Sequence, residues 1–187
     1  MIETLRHIDH QVFYFINEMM ANSFLDWLCV GLRDKPFLVV FYAALSYSFY
    51  KFYPKHFLKI VIAGAVTFLL TDQLSAHLIK PIMHRIRPCN NPEIHARLLL
   101  EHCGSGFSFV SAHAANSFGI ATFASIIIIK SRAVLILVIW ASLVSFSQVY
   151  VGVHFPADVV GGALLGVAVG ATTGIILKTK FDFNIQS

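Results

Sequence analysis

The sequence predicts an all-α fold, a polytopic transmembrane helical bundle of about five spans preceded by two interfacial helices. Three observations predict it. Hydrophobic residues make up 57% of the 187 positions and charged residues 13%, about half the charged share of an ordinary soluble domain. The apolar residues gather into five runs that approach the roughly 20 residues a helix needs to cross a bilayer. The remaining polar residues sit mostly in compact knots where those runs end. Residues 1–187 are expected to form a single membrane domain.

Residues 3–20 place Leu5, Ile8, Val12, Phe13, Phe15 and Ile16 among Arg6, His7, Asp9, His10 and Glu18. That spacing gives one apolar helical face on a segment too polar to span, so a helix lying in the membrane interface is expected. Asn22 and Ser23 offer an N-cap for a short helix over 24–32, broken at Arg33-Asp34-Lys35-Pro36. Residues 1–35 carry charges throughout, so no cleavable signal peptide is expected.

The spans are expected at 36–52, 57–79, 107–129, 133–153 and 156–177, with one long extramembrane loop at 80–106. The second span holds Asp72, Gln73 and His77, and ionisable groups in a span need partners to offset desolvation. The last span repeats Gly162, Gly166 and Gly170 every fourth residue, which permits close helix contact. The tail, 178–187, is polar and expected to be loose.

The net charge of +4 comes without a basic run or an RNA-binding motif, so no nucleic-acid partner is expected. Basic residues at membrane interfaces account for it. Five spans put the N-terminus, the 80–106 loop and the turn at His154 on one face of the membrane. Each face receives seven basic residues. Setting aside Lys80 and Arg87 as site residues makes the Lys51, Lys130 and Lys178 face the cytoplasmic one.

Three polar knots therefore share a face. They supply two cations (Lys80, Arg87), a hydroxyl (Ser111), two imidazoles (His113, His154) and a carboxylate (Asp158). Cations and a hydroxyl converging on one point suit a phosphate. Pro156 suits a first helical position and Ser111 an N-cap, so two helix starts would aim N–H groups at an anion. His154 and Asp158, four residues apart, allow the carboxylate to hold one ring nitrogen and leave the other free to attack. His113 would protonate the leaving oxygen, a role worth about 10²–10⁴ in rate. No metal or other cofactor is required, and no histidine pair has a zinc spacing such as H-E-x-x-H.

These knots carry a resemblance. Lys80-Pro81-Ile82-Met83-His84-Arg85-Ile86-Arg87-Pro88 resembles the first signature of the type 2 phosphatidic acid phosphatase family, which shares its core with vanadium haloperoxidases and glucose-6-phosphatase. Phe109-Val110-Ser111-Ala112-His113-Ala114 resembles the second, with Val110 and Ala112 where the family has Pro and Gly, and Ser147-Gln148 with His154 and Asp158 resembles the third. The resemblance covers roughly residues 60–175. It implies a phosphohistidine on His154, oriented by Asp158, with His113 as acid and with phosphate bound by Lys80, Arg87, Ser111 and the position of Gln148. Gln148 stands where the family has Arg, which removes a charge and a bidentate fork. Either Arg85 or another base makes up that charge, or turnover is lower.

The function expected is a membrane lipid phosphatase in a bacterial inner membrane, its site on the extracytoplasmic side. Its partners are a lipid phosphate substrate and the bilayer. Undecaprenyl diphosphate is the favoured substrate, because the chain is small and has little extramembrane domain to recognise a sugar. Phospholipid phosphates and lipid A phosphate are the other candidates. A non-catalytic headgroup-binding protein with a degenerate site is the reading from a different class, and Gln148 favours it. Cys89 and Cys103 lie in the 80–106 loop, where an oxidising compartment would let them pair and stabilise by about 3 kcal/mol. His95, Arg97 and His102 are further candidates to touch a headgroup.

Overall fold

Residues 2–128 and 130–181 are described by a computed structural model of the chain. Helix α1 (Ile2–Tyr14) continues as a π turn, Phe15–Met19. Helix α2 (Ser23–Arg33) starts where Asn22, in extended conformation, accepts the Leu25 N–H at 2.9 Å through its side chain, the cap read from the sequence. Asp34 alone separates it from α3 (Lys35–Phe52). A 3₁₀ turn, Pro54–His56, leads into α4 (Phe57–Gln73). A π segment, Leu74–Ile79, carries that helix into α5 (Lys80–Met83). After an irregular stretch come α6 (Ala112–Ile128), α7 (Ser131–Tyr150) and α8 (Pro156–Lys180). No strand occurs among the described residues.

Among the described residues, three helices are long and apolar enough to cross a membrane: Pro54–Met83, Ser131–Tyr150 and Pro156–Lys180. The other two expected spans are present as helices: α3 has 18 residues and α6 has 17. Helix α6 begins five residues later than expected because 107–111 is spent on the site: Ser108 N donates to Arg85 O at 2.7 Å and Ser111 N to Asp158 O at 2.9 Å. The loop begins later as well. Lys80 lies in the last turn of a 30-residue helix, Pro54–Met83, rather than in a loop. Pro81 removes a backbone donor there, but it falls where the π segment has already interrupted the regular ladder. Of the tail, Lys178 to Lys180 finish α8, and 182–187 lie outside the described residues.

The core is built on α6, which packs against α8, α7 and α4. Its contact with α8 is backbone to backbone. A Cβ at Gly166 would lie 2.3 Å from Ala115 O, and one at Gly170 would lie 2.2 Å from Gly119 O. The four-residue glycine repeat thus does what the sequence predicts: it lets two helices touch without intervening side chains. Away from the site, Phe41 stacks on Trp140 with ring centres 3.8 Å apart, tying α3 to α7.

Helix α1 is amphipathic in two senses. Leu5, Ile8, Val12, Phe15 and Met19 form an exposed apolar stripe, whereas Asp9, Phe13 and Asn17 are buried in the protein. Two of those three inward residues are polar, and both find partners far away in sequence.

Candidate active site

Everything in the site hangs on the turn between α7 and α8. Gly152 takes φ +88°, and a Cβ there would lie 2.7 Å from Arg97 O, so the turn needs glycine twice over. The N–H groups of Val153 and His154 both return to Gln148 O at 3.2 Å. Pro156 then opens α8 in its first turn, and the Asp158 carboxylate reaches back to accept the Phe155 N–H at 2.8 Å.

This geometry points the His154 ring at Asp158. Nδ1 lies 3.5 Å from Asp158 Oδ2 and 3.3 Å from Ser108 Oγ, and Ser108 donates to the same carboxylate oxygen. The other carboxylate oxygen accepts Arg85 Nη1 at 2.7 Å. With its proton on Nδ1, facing Asp158, the ring presents the Nε2 lone pair to Arg87, whose Nη1 stands 3.3 Å away. Burial lowers the His154 pKa to about 4; Asp158 opposes the shift, and Arg87 and Lys80 add to it. His154 is therefore neutral at pH 7. Its free nitrogen faces a guanidinium, where an anion drawn to Arg87 would meet it.

Arg87 is further placed by donating to Val153 O and Gly106 O, each at 3.3 Å. Lys80 and Arg87 both lie within electrostatic reach of His154 and of His113, which sits in the first turn of α6. Ser111 is buried, and its Oγ accepts the Ala114 N–H at a long 3.5 Å. Six of the seven residues singled out in the sequence thus come to one locus. Gln148 is placed differently. It is fully buried, and its amide donates to Val144 O at 3.3 Å and Ser147 Oγ at 3.2 Å, both in its own helix.

A disulfide joins Cys89 to Cys103, with Cα atoms 5.8 Å apart. It clasps the irregular segment that carries Arg87 and Ser108. Arg97 pairs with Asp26 at 2.9 Å, so its charge is spent on holding this segment to α2. His113 also lines, with Asp72, Asn116 and Lys35, a cleft of about 820 Å³. Its walls are otherwise mostly apolar, from Leu38, Tyr42 and Phe68 down to Phe123. Asp72 receives Asn116 Nδ2 at 3.3 Å.

Several site residues escape a reading of the sequence. Arg85 bridges Asp158 and Asp9, and Asp9 also accepts the Ala157 N–H at 2.8 Å. Arg85 is therefore not the spare base that would offset Gln148. Asn17 donates to Tyr150 O at 2.7 Å and accepts from Arg97 N at 2.8 Å. Ser108 has no local signal beyond lying three residues before Ser111. Asp9 and Asn17 read as ordinary members of a polar helix face.

A membrane-embedded helical bundle that presents buried imidazoles and cations at one end defines a membrane phosphatase. The chain belongs to the PAP2 superfamily, whose family description matches residues 56–182. A lipid A 4'-phosphatase of Bacteroides thetaiotaomicron is 36% identical over 191 aligned residues, covering 100% of this chain and 84% of that protein. A lipid A 4'-phosphatase of Porphyromonas gingivalis is 33% identical over 174 residues, covering 90% and 72%. An undecaprenyl-diphosphatase of Sulfolobus acidocaldarius is 37% identical over 110 residues, covering 58% and 50%. The crystal structure of a transmembrane PAP2 type phosphatidylglycerolphosphate phosphatase from Bacillus subtilis shares the fold, with a TM-score of 0.71 at 21% identity over 97% of this chain and 90% of that one. The chain is thus an integral membrane enzyme, a lipid phosphatase, and the headgroup-binding reading that Gln148 favoured falls.

Proposed function

We propose that the protein removes the 4'-phosphate of lipid A. The observation that carries this reading is the extent of the similarity. The family region begins at residue 56, yet the lipid A 4'-phosphatase of Bacteroides thetaiotaomicron matches 100% of this chain, α1 to α3 included. The undecaprenyl-diphosphatase matches 58%. This reverses the preference for undecaprenyl diphosphate. That preference took the lack of a separate extramembrane domain to mean that nothing could recognise a sugar. Helices α1 and α2 and the disulfide-clasped segment supply such a layer within the single chain.

The proposed reaction is the one the family resemblance implies, and the His154–Asp158 geometry supports it. His154 Nε2 attacks phosphorus, the bond from phosphorus to the sugar oxygen breaks, and His113 gives that oxygen its proton. Asp158 stabilises the imidazolium as it forms. Water then attacks the phosphohistidine with His113 as base, and inorganic phosphate leaves. Lys80, Arg87 and the Ser111 hydroxyl hold the phosphoryl oxygens throughout. The site faces the extracytoplasmic side of a bacterial inner membrane. The Cys89–Cys103 disulfide beside it supports that orientation, and the exposed apolar stripe of α1 lies in the outer interface.

The test is phosphate release in detergent from lipid A, undecaprenyl diphosphate and phosphatidylglycerol phosphate, by the wild type and His154→Ala. Lipid A is expected to lose its 4'-phosphate fastest, with no release by the variant. Release from undecaprenyl diphosphate that is tenfold faster than from lipid A would overturn the substrate assignment.

A further inference from the structure

Asp158 is engaged by Arg85, which also holds Asp9. Among the described residues, Lys80 and Arg87 form no salt bridge with a carboxylate. A third cation shares this condition. Arg33, in the last turn of α2, forms no salt bridge among the described residues, and its Nη1 is buried without a hydrogen-bond partner. Leaving a buried guanidinium nitrogen unpaired is costly, and a site that keeps one is poised for an anion.

Its location says which anion. Two residues past Arg33, Lys35 lines the same cleft as His113, so the corner between α2 and α3 stands beside the His113 end of the pocket. The charges that bear on His113 are Arg33, His154, Lys80 and Arg87; Arg33 and Arg87 also act on each other, with Asp34 acting on Arg33 and Asp158 on Arg87. Asp34, Asp72 and Asp158 act on the three cations, but none of the cations is in a salt bridge with them, so each keeps donors for an arriving anion. A phosphate monoester brings about two negative charges at pH 7. Placement at a helix C-terminus also suits an arginine, but that role leaves the buried, unpaired Nη1 unexplained.

We propose that the guanidinium of Arg33 binds the transferring phosphoryl group alongside Lys80 and Arg87, supplying the charge that Gln148 does not. The other candidates are occupied. Arg85 is held by two carboxylates, and the Gln148 amide donates within α7. Arg33 lies outside the three motifs and reaches the pocket from α2, so the third cation comes from a different helix while the chemistry stays the same. Its planar fork suits two equatorial oxygens of a phosphoryl group in transfer. The inference deepens the phosphatase reading and rests on it, but it does not depend on which lipid is the substrate.

The test uses orthovanadate, a phosphoryl analogue with no lipid attached, and the full-length protein in detergent. Vanadate affinity is measured for the wild type, Arg33→Gln, Arg33→Lys, and Arg33→Gln combined with Gln148→Arg. Arg33→Gln is expected to weaken vanadate at least tenfold. Arg33→Lys, which keeps charge but loses the fork, is expected to weaken it about threefold. Restoring an arginine at 148 in the Arg33→Gln background is expected to recover most of the loss, which a purely structural Arg33 would not allow. Affinity within twofold of wild type for Arg33→Gln overturns the proposal. If that variant does not fold, an unchanged affinity in Arg33→Lys overturns it instead. Vanadate binding that depends on Arg33, in a protein that does not act on lipid A, would sink the substrate assignment and leave Arg33 in place.

Discussion

The two sides of this active site are built by different means. On the α6–α8 side, the reactive groups sit at helix starts, and the helices are locked by glycines that bring backbone onto backbone. His154 and Asp158 lie four residues apart on one turn, so their relation is local. On the N-terminal side, Phe13 and Cys29 pack into apolar clusters with α7 and the turn after it, and single polar side chains fix the site: Asp9 on Arg85, Asn17 on Tyr150 and Arg97, Asp26 on Arg97. The first side is fixed by a local turn and by backbone contact between α6 and α8. The second can be exchanged one contact at a time, and it carries Arg33, proposed above to supply the charge that the third motif lacks at Gln148.

The largest expected effect lies on the α6–α8 side. Asp158→Asn keeps the shape but loses the charge that stabilises the imidazolium and fixes its tautomer. Turnover should fall by about 10³–10⁴, as when the corresponding carboxylate of a catalytic triad is neutralised, and single-turnover phosphate release would measure it. A tenfold loss or less would mean that Ser108 can orient His154 unaided. The N-terminal side should give a smaller effect. Asp9→Asn removes one of two carboxylates from Arg85 and leaves Asp158 in contact with it. A charge-assisted hydrogen bond is worth about 1.5–3 kcal/mol, so turnover should drop about 10- to 100-fold. A loss as large as that of Asp158→Asn would erase the distinction between the two sides.

The same contrast explains what the sequence makes legible. The helix over 24–32, its Asn22 cap, the glycine contact and the His154–Asp158 pair all depend on spacings of three or four residues, which periodicity exposes. The long extent of the helix through Lys80 was hidden, because Pro81 reads as a stop unless the π segment before it is known. Asp9, Arg33 and Ser108 could not be read at all. Their partners lie 76 residues away for Asp9 and 50 for Ser108, and Arg33 sits in a stretch that looks like a helix break. Gln148 shows the converse. Its position was legible, but its amide is turned to its own helix, so a residue's place in a motif did not determine its bonds.

The smallest expected effect concerns pH, and it separates the two sides by kind rather than by size. Burial holds the His154 pKa at about 4, with Arg87 and Lys80 adding to the depression and Asp158 opposing it. A histidine whose pKa is lowered stays neutral, and so nucleophilic, as pH falls from its ordinary range, and it is lost to protonation only near the lowered value. The acid limb of kcat/KM governed by His154 should therefore lie near pH 4. Arg87→Gln removes one of the charges that depress it, so the limb should move to higher pH in whatever activity remains. Asp9 is not among the groups that act on His154. Asp9→Asn should therefore lower the rate while leaving the limb where it stands. A limb that moved with Asp9→Asn would mean that the N-terminal helix tunes the nucleophile through Arg85 and Asp158, making it part of the chemistry and not only of the scaffold.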